Sequence, residues 1–195
     1  MEMKRVTVFC GSGKGTDEIY ETQAKLLGAT LAKQGIGLVY GGAKIGLMGA
    51  VADGALKENG NVTGVLPKFL SSKEIAHEDL TELIIVETMH ERKTKMNDLC
   101  DGVISLPGGI GTMEEFFEMM TWAQLGLHQK PIGVLNVNGY YNALITMLQT
   151  MVDNGFLKEK DQNMLLISDN INDLLTKMKN YKAAPTIKWI NEKTL

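Results

Sequence analysis

Three segments of one kind limit the folds that this chain can adopt. In each, a short apolar run with strand character leads into a glycine-rich turn and then into a helical pattern of apolar residues. The runs span residues 6–10, 36–40 and 102–106. Strand, helix and strand at this spacing require parallel strands joined by helical crossovers. The chain is therefore predicted to form an α/β fold, a doubly wound parallel sheet of the Rossmann-like kind with helices on both faces.

The rest of the sequence supplies further elements of this sheet. More strands are predicted at residues 62–66, 83–86, 131–135 and 164–167, and helices at residues 17–34, 47–58, 89–100, 141–152 and 170–181. Ser168 and Asp169 are candidate caps for the last helix. Residues 68–80 are predicted to be irregular, and residues 182–195 to form a tail. Because the chain has 195 residues, 44% of them hydrophobic, one domain over residues 1–195 is expected.

Composition narrows the classes of partner. The net charge of −3 gives no general surface for a polyanion, so no nucleic-acid partner is predicted. No apolar run approaches the roughly 20 residues that span a membrane, and the first apolar run is too short for a signal-peptide core. A cytoplasmic protein is expected. The two cysteines, Cys10 and Cys100, are predicted to be buried free thiols.

The segment LPGGIGTMEE at residues 106–115 joins a predicted strand to a predicted helix that Gly126 ends. Its glycines are Gly108, Gly109 and Gly111. They let the backbone approach a ligand without Cβ atoms in the way, so that N–H groups and a helix N-terminus face an anion. Glu114 and Glu115 stand at the start of the same helix. A phosphate site beside carboxylates suggests chemistry on a phosphorylated molecule.

A purely structural interpretation of two of these residues is also open. Thr112 and Glu115 match the T-x-x-E capping box, in which the glutamate accepts a hydrogen bond from a free N–H of the first helical turn. Acidic residues also favour helix N-termini because of the helix dipole. On this interpretation Glu115 stabilises the helix and has no chemical role.

Two other glycine turns are predicted at the same edge of the sheet, because the carboxyl ends of parallel strands meet there. The turn that begins at Gly11 and Ser12 matches no phosphate motif: Lys14 is followed by Gly15 where a P-loop needs Ser or Thr, and Thr16 stands where a dinucleotide fingerprint needs Gly. This segment is either a simple turn or a ligand contact. The other turn contains Gly41 and Gly42.

The helix that begins at Met89 is predicted to start at this edge as well. Its cations, among them Arg92 and Lys93, crowd its first half, which the helix dipole disfavours. That placement indicates an anionic partner, although a charge run on a helix is usually a solvated face. The spacing alone therefore predicts a phosphorylated small molecule held by backbone N–H groups near Arg92 and Glu115.

Two long motifs, MHERK at residues 89–93 and PGGIGTMEE at residues 107–115, resemble those of the Lonely Guy family. These are cytokinin riboside 5′-monophosphate phosphoribohydrolases, long labelled possible lysine decarboxylases. The likeness covers nearly the whole chain and includes residues 8–12, 46–49, 121–126 and 138–141. It implies hydrolysis of the N-glycosidic bond of adenosine-type 5′-monophosphates, plain or N6-prenylated. One departure is Ala43, where the family commonly has a third glycine.

The resemblance also implies the site. The family's catalytic arginine and glutamate fall on Arg92 and Glu115. With the residues of the glycine turns and of the Met89 helix, the predicted substrate contacts are Gly11, Ser12, Gly42, Glu74, Met89, Arg92, Lys93, Gly108, Gly109, Ile110, Gly111, Thr112, Met113, Glu114 and Thr121. No cofactor or metal is expected, since the three histidines are scattered and are predicted to be structural or solvated. Family members are usually homodimers with the site near the subunit interface.

The predicted mechanism passes through a cationic, oxocarbenium-like sugar. Glu115 stabilises that charge or positions the attacking water, and Arg92 orients Glu115 or binds phosphate. Two other functions are considered. A nucleotide carrier or sensor of the same fold would bind without cleaving. A pyridoxal-phosphate decarboxylase would need a Schiff-base lysine, and no lysine has a setting that suggests one.

Overall fold

The computed structural model of the chain describes residues 2–71 and 76–183. The predicted contact Glu74 and residues 184–195, most of the predicted tail, lie outside the described residues. The strands are β1 (Arg5–Phe9), β2 (Gly37–Tyr40), β3 (Val62–Pro67), β4 (Glu82–Val86), β5 (Gly102–Ser105), β6 (Ile132–Leu135) and β7 (Leu165–Ser168). The helices are α1 (Glu18–Lys33), α2 (Gly46–Lys57), α3 (Lys68–Ser71), α4 (Met89–Asp98), α5 (Ile110–Gln124), α6 (Asn142–Asp153), α7 (Glu159–Gln162) and α8 (Ile171–Asn180). No helix in these two ranges is long and apolar enough to cross a membrane.

All seven described strands pair in parallel in one sheet, in the order β4-β3-β2-β1-β5-β6-β7. The chain runs outward from β1 to β4 and then returns to the other side of β1 with β5. The crossovers on the two sides of this switch point diverge, and ligands of such sheets bind in the crevice outside the strand ends. The Rossmann-like, doubly wound prediction is confirmed.

Alternate strand residues face two separate cores. Val6 and Val8 of β1 belong to the core beneath α1, α2 and α8, whereas Phe9 and Val103 belong to the core beneath α4, α5 and α6. This is why the strands are continuously apolar and not alternating: both faces are covered by helices. The predicted apolar stripe of α1 is confirmed, because Ala24, Leu27 and Leu31 are fully buried.

Several local predictions are corrected by the structure. Residues 68–71 form the short helix α3 where irregular backbone was predicted, since one turn is too short to show a helical period. The cap of α8 is Asn170, whose side chain accepts a hydrogen bond from the Asp173 N–H at 3.0 Å. The predicted caps fail because Ser168 still belongs to β7 and Asp169 precedes the cap. Both cysteines are buried and free, as predicted.

Candidate active site

The turns after β1, β2 and β5 lie together at the carboxyl edge of the sheet. The Gly11 N–H donates to the Pro107 carbonyl oxygen at 3.0 Å, and the Leu47 N–H donates to the Gly11 carbonyl oxygen at 3.0 Å. These bonds join the ends of β1 and β5 to the start of α2. The prediction that the glycine turns share one edge is confirmed.

A hollow of about 280 Å³ opens at this edge between β1, α2, α4 and α5. Its polar lining includes Arg92, Thr112 and Glu115, and its apolar lining includes the side chains Met48, Met89, Met96 and Ile110. A second hollow of about 310 Å³ adjoins it and shares Gly11, Ser12 and Gly109 with it. The two hollows meet at the residues just before α5, where Gly109 lines both.

Helix α5 begins without a side-chain cap. Its cap residue is Gly109, in extended backbone conformation, which has no side chain to accept a hydrogen bond from the first turn. Thr112 is the third residue of the helix and Glu115 the sixth, so neither occupies the position that a capping box requires. The capping interpretation of the T-x-x-E segment is therefore wrong. The first amides of α5 are available to an anion instead.

Close backbone packing explains one of the glycines in this turn. A Cβ atom on Gly108 would lie 2.1 Å from Oγ1 of Thr112 and 2.8 Å from the nitrogen of Gly11. Two tyrosines hold the same turn from outside. The Tyr140 hydroxyl donates to the Gly108 carbonyl oxygen at 2.6 Å, and the Tyr141 hydroxyl donates to the Leu106 carbonyl oxygen at 2.5 Å.

Arg92 is buried and fixed by the ends of two strands. Its Nε donates to the Val65 carbonyl oxygen at 3.0 Å, and its Nη2 donates to the Gly41 carbonyl oxygen at 3.3 Å. Its Nη1 lies 3.7 Å from Oε1 of Glu115. The guanidinium thus presents one nitrogen to the carboxylate while the sheet holds the others.

Glu115 is buried in the wall of the hollow. Burial raises the pKa of its carboxyl from 4.5 to about 7, and the nearby charge of Arg92 offsets only part of this effect. Burial also raises the pKa of the Cys10 thiol, which lines the same hollow, so this cysteine stays protonated at neutral pH. A carboxyl group poised near neutrality in a cleft has the electrostatic character of a catalytic acid or base.

Comparison with known proteins assigns the family. A family model described as "Possible lysine decarboxylase" matches residues 48–178. A cytokinin riboside 5′-monophosphate phosphoribohydrolase of Arabidopsis thaliana is 46% identical over 179 residues, covering 92% of this chain and 78% of the relative. A probable enzyme of the same name from Oryza sativa subsp. japonica is 43% identical over 190 residues, covering 95% of this chain and 85% of the relative. The chain belongs to the Lonely Guy family.

Phosphoribohydrolases are N-glycosyl hydrolases, so the enzyme class predicted for this Lonely Guy protein is confirmed. Solved structures give the fold at lower identity. The molybdenum cofactor binding protein of Rippkaea orientalis superposes with a TM-score of 0.69 at 22% identity, covering 92% of this chain and 97% of that one. The molybdenum cofactor carrier protein of Chlamydomonas reinhardtii gives 0.68 at 21% identity, covering 91% and 97%.

Most of the site residues predicted for this Lonely Guy protein come together. Those that line the first hollow are Gly11, Ser12, Met89, Arg92, Gly109, Ile110, Gly111, Thr112, Glu114 and Glu115. Gly108 lines the adjoining hollow. Their contact with substrate stays a prediction, but these residues form one continuous surface around the start of α5.

Four predicted contacts lie away from both hollows. The Lys93 ammonium is held between two carboxylates of α5, at 2.5 Å from Glu114 and 3.0 Å from Glu118. Burial disfavours its charge, but these two hydrogen bonds outweigh burial and raise the pKa of Lys93. The ion pairs therefore join α4 to α5. Part of the positive charge at the start of α4 is thus neutralised by carboxylates of the protein itself.

The other three predicted contacts, Gly42, Met113 and Thr121, make contacts elsewhere in the protein. Gly42, at φ +76°, faces Leu66 and Leu83, and its carbonyl oxygen accepts the His77 N–H at 3.0 Å. Met113 packs against the core beneath α5. The exposed Thr121 donates its hydroxyl to a carbonyl oxygen one turn earlier in α5, at 2.7 Å. None of these three residues is among those that line either hollow.

Sequence reasoning missed several residues of the hollow. Cys10, Gly41, Met48 and Met96 line it beside the predicted ones. Cys10 and Met48 lie in segments that carried the Lonely Guy resemblance, so a signal was present for them. Met96 had none beyond an apolar position on a helix, because helical spacing does not tell a core residue from a pocket residue.

Within the described part of the chain, two of the histidines are buried and hydrogen-bonded and the third is exposed. Nε2 of His77 lies 3.0 Å from Oδ1 of Asp53, and Nε2 of His128 lies 3.0 Å from the Met119 carbonyl oxygen. Burial lowers the pKa of His128 to about 4, and His90 is exposed. Among residues 2–71 and 76–183, no three His, Cys, Asp or Glu side chains form a group that could hold a metal. The prediction that the histidines are structural or solvated is confirmed.

Proposed function

We propose that this enzyme hydrolyses the N-glycosidic bond of adenosine-type nucleoside 5′-monophosphates, releasing the free base and ribose 5-phosphate. The observation that carries the proposal is the buried Glu115 carboxyl, which lines a hollow at the uncapped start of α5 and faces the Arg92 guanidinium. The names of the relatives, cytokinin riboside 5′-monophosphate phosphoribohydrolases, support this class of substrate.

The uncapped helix start binds the 5′-phosphate. Free amides of the first turn of α5 and the positive end of its dipole attract a dianion, and the glycines leave room for it. Binding energy at the phosphate positions the sugar, which is remote from it. The anomeric carbon then lies near Glu115, because that side chain lines the same hollow.

The Glu115 carboxylate acts on the anomeric centre. As the bond between C1′ and the base nitrogen breaks, positive charge develops on the sugar and the ionised carboxylate stabilises it. Glu115 also accepts a proton from the attacking water. The water oxygen bonds to C1′ as the bond between C1′ and the base nitrogen breaks with its electron pair on the base. Solvent protonates that nitrogen, and Glu115 releases the proton that it took from the water back to solvent. Arg92 keeps Glu115 oriented and favours its ionised form.

The base binds against the apolar wall of the hollow. Met48, Met89, Met96 and Ile110 supply flexible thioether and aliphatic surface there. Such a wall accepts a planar base and also an apolar N6 substituent. We therefore propose both AMP and N6-prenylated AMP as substrates, with no cofactor.

The test is an assay in which chromatography measures the free base released from AMP and from N6-prenylated AMP. Glu115→Gln and Arg92→Ala are expected to lower turnover by about 10²-fold or more. Glu159→Gln, an exposed glutamate on α7, is the matched control and should keep full turnover. A folded Glu115→Gln variant with normal turnover would contradict the proposal. Tight AMP binding with no product from the wild type would favour the carrier function instead.

We also propose that the enzyme is a homodimer with its site near the interface. Apolar side chains on the helices that frame the hollow face outward: Met89 on α4, and Ile110 and Phe117 on α5. Ile110 is 90% exposed, which is unusual for a large aliphatic residue at a ligand site and favours cover by a second subunit. Light scattering of the wild type should give twice the chain mass, and Phe117→Glu should shift it toward the monomer. A monomeric wild type would contradict this proposal.

A further inference from the structure

The Arg92 guanidinium lies in a slot at the ends of β2 and β3. On one side its Nε donates to the Val65 carbonyl oxygen, and on another its Nη2 donates to the Gly41 carbonyl oxygen. We infer that Gly41 is a positioning residue: its missing side chain leaves the space in which the guanidinium is held against Glu115. The effect that we expect on turnover rests on the proposed function. The effect on the position of Arg92 rests only on the contacts seen in this chain.

A side chain at position 41 would displace the guanidinium. A Cβ atom there would lie 2.1 Å from Nη2 and 3.3 Å from Cζ of Arg92, and 2.8 Å from Sδ of Met48. The Met48 thioether is the end of a flexible side chain and can shift. The guanidinium cannot shift without breaking its bond to Val65 or its approach to Glu115, because both contacts are made by the same rigid plane.

The two adjacent glycines of this turn serve different purposes. Gly42 has φ +76°, so glycine is required there by backbone conformation. Gly41 does not have a positive φ, so alanine is conformationally allowed at that position. An alanine at position 41 would instead place a methyl group in the space that the Arg92 guanidinium occupies. The effect of Gly41→Ala should therefore act through Arg92 and not through backbone strain.

Displacing Arg92 has a specific electrostatic consequence. The charged and titratable groups that act on Glu115 are Arg92 and Lys93 of α4, Glu114 and Glu118 of α5, and Cys10 beyond the end of β1. Of these, Gly41 contacts only Arg92. When the guanidinium moves away, the ionised form of Glu115 loses its main support, so its pKa rises further.

The experiment compares Gly41→Ala, Arg92→Ala and the double variant. Gly41→Ala should lower kcat at pH 7 by about 10²-fold and move the acidic limb of the pH–rate profile upward. Adding Gly41→Ala to Arg92→Ala should change kcat less than twofold, because the residue acts through the arginine. Multiplicative losses in the double variant would overturn the inference.

A matched glycine controls for general loss of packing. For a Cβ on Gly102, at the opposite end of the sheet, the three nearest atoms belong to the side chains of Met178, Pro131 and Met3, at 3.0–3.3 Å. Gly102→Ala should lower the melting temperature and leave the pH profile in place. If Gly41→Ala fails to fold, the double variant decides: recovered folding supports the clash with Arg92, and continued unfolding overturns it.

A measurement without substrate separates this inference from the proposed function. The carboxyl carbon of Glu115, assigned by its loss in Glu115→Gln, can be titrated by ¹³C NMR in the wild type and in Gly41→Ala. An upward shift in the variant supports the positioning role even if no nucleotide is cleaved. An unchanged titration overturns it, whatever the enzyme hydrolyses.

Discussion

Nη1 of Arg92 lies 3.7 Å from Oε1 of Glu115, and each side chain is only about one-tenth exposed. This distance is too long for a hydrogen bond, so the two charged groups attract each other without a hydrogen bond between them. The effect of burial on the Glu115 carboxyl therefore exceeds the effect of the Arg92 charge, and raises its pKa to about 7. In the proposed mechanism the ionised form of Glu115 is the active one, so kcat/KM should rise with pH and level off above about 7. A profile flat from pH 5 to 8 would contradict this assignment.

The same carboxyl group should make stability depend on pH. In the folded protein its pKa is raised from 4.5 to about 7, so the native state binds the proton more tightly than the unfolded chain. Its contribution is full below about pH 4.5 and is lost as pH rises through about 7, a change of about 3 kcal/mol. Urea unfolding of wild type and Glu115→Gln from pH 5 to 8 measures it as a difference. The wild type should lose stability relative to the variant as pH rises; the opposite trend would refute the shift.

Two adjacent glycines should respond differently to alanine. In Gly108→Ala the new Cβ meets Thr112 and the backbone of Gly11, so a loss of about 2–3 kcal/mol in the free energy of unfolding is expected. Nothing lies within 4 Å of a Cβ on Gly109, so Gly109→Ala should cost under about 1 kcal/mol. Its methyl group projects near the helix start, so KM for AMP should rise. Equal stability of the two variants, by denaturant unfolding, would contradict the packing argument.

Lys93 should act as a link between helices and not as a ligand for phosphate. Lys93→Met keeps the length of the side chain but leaves Glu114 and Glu118 without their cation. A stability loss of about 1–3 kcal/mol is expected, with KM changed less than threefold. Lys95→Met, on an exposed position of the same helix, is the control and should change neither. A tenfold rise in KM at unchanged stability would instead support the contact that the family resemblance implies.

Periodicity predicted the sheet well because both of its faces are covered. Continuous apolar runs, glycine turns and helical stripes such as Ala24, Leu27 and Leu31 are direct consequences of two-sided burial. Element ends were less certain. The α8 cap was predicted at Ser168 or Asp169, whereas the structure has it at Asn170, because Ser, Asp and Asn can all cap a helix and only the end of β7 decides among them.

The site was predicted in part for a similar reason. Turn residues such as Gly11 and Gly108 lie where any parallel sheet puts its strand ends. The capping box failed because the cap residue of α5 is Gly109, three residues before Thr112, a point that the spacing of Thr and Glu cannot reveal. Gly41 was predicted only as part of a glycine turn, because its proposed role depends on Arg92, which is 51 residues away in the chain and adjacent only in the fold.

The Tyr140 hydroxyl holds the Gly108 carbonyl oxygen and the Tyr141 hydroxyl holds the Leu106 carbonyl oxygen, so two side chains fix the backbone of one glycine turn. A turn held by these two hydrogen bonds is already ordered before a nucleotide binds. Association then costs little ordering entropy, so a flexible, glycine-rich sequence serves as a rigid receptor. Tyr140→Phe and Tyr141→Phe each remove only the hydroxyl that holds a carbonyl oxygen of this turn, so both should weaken binding through its entropy, which calorimetry can measure.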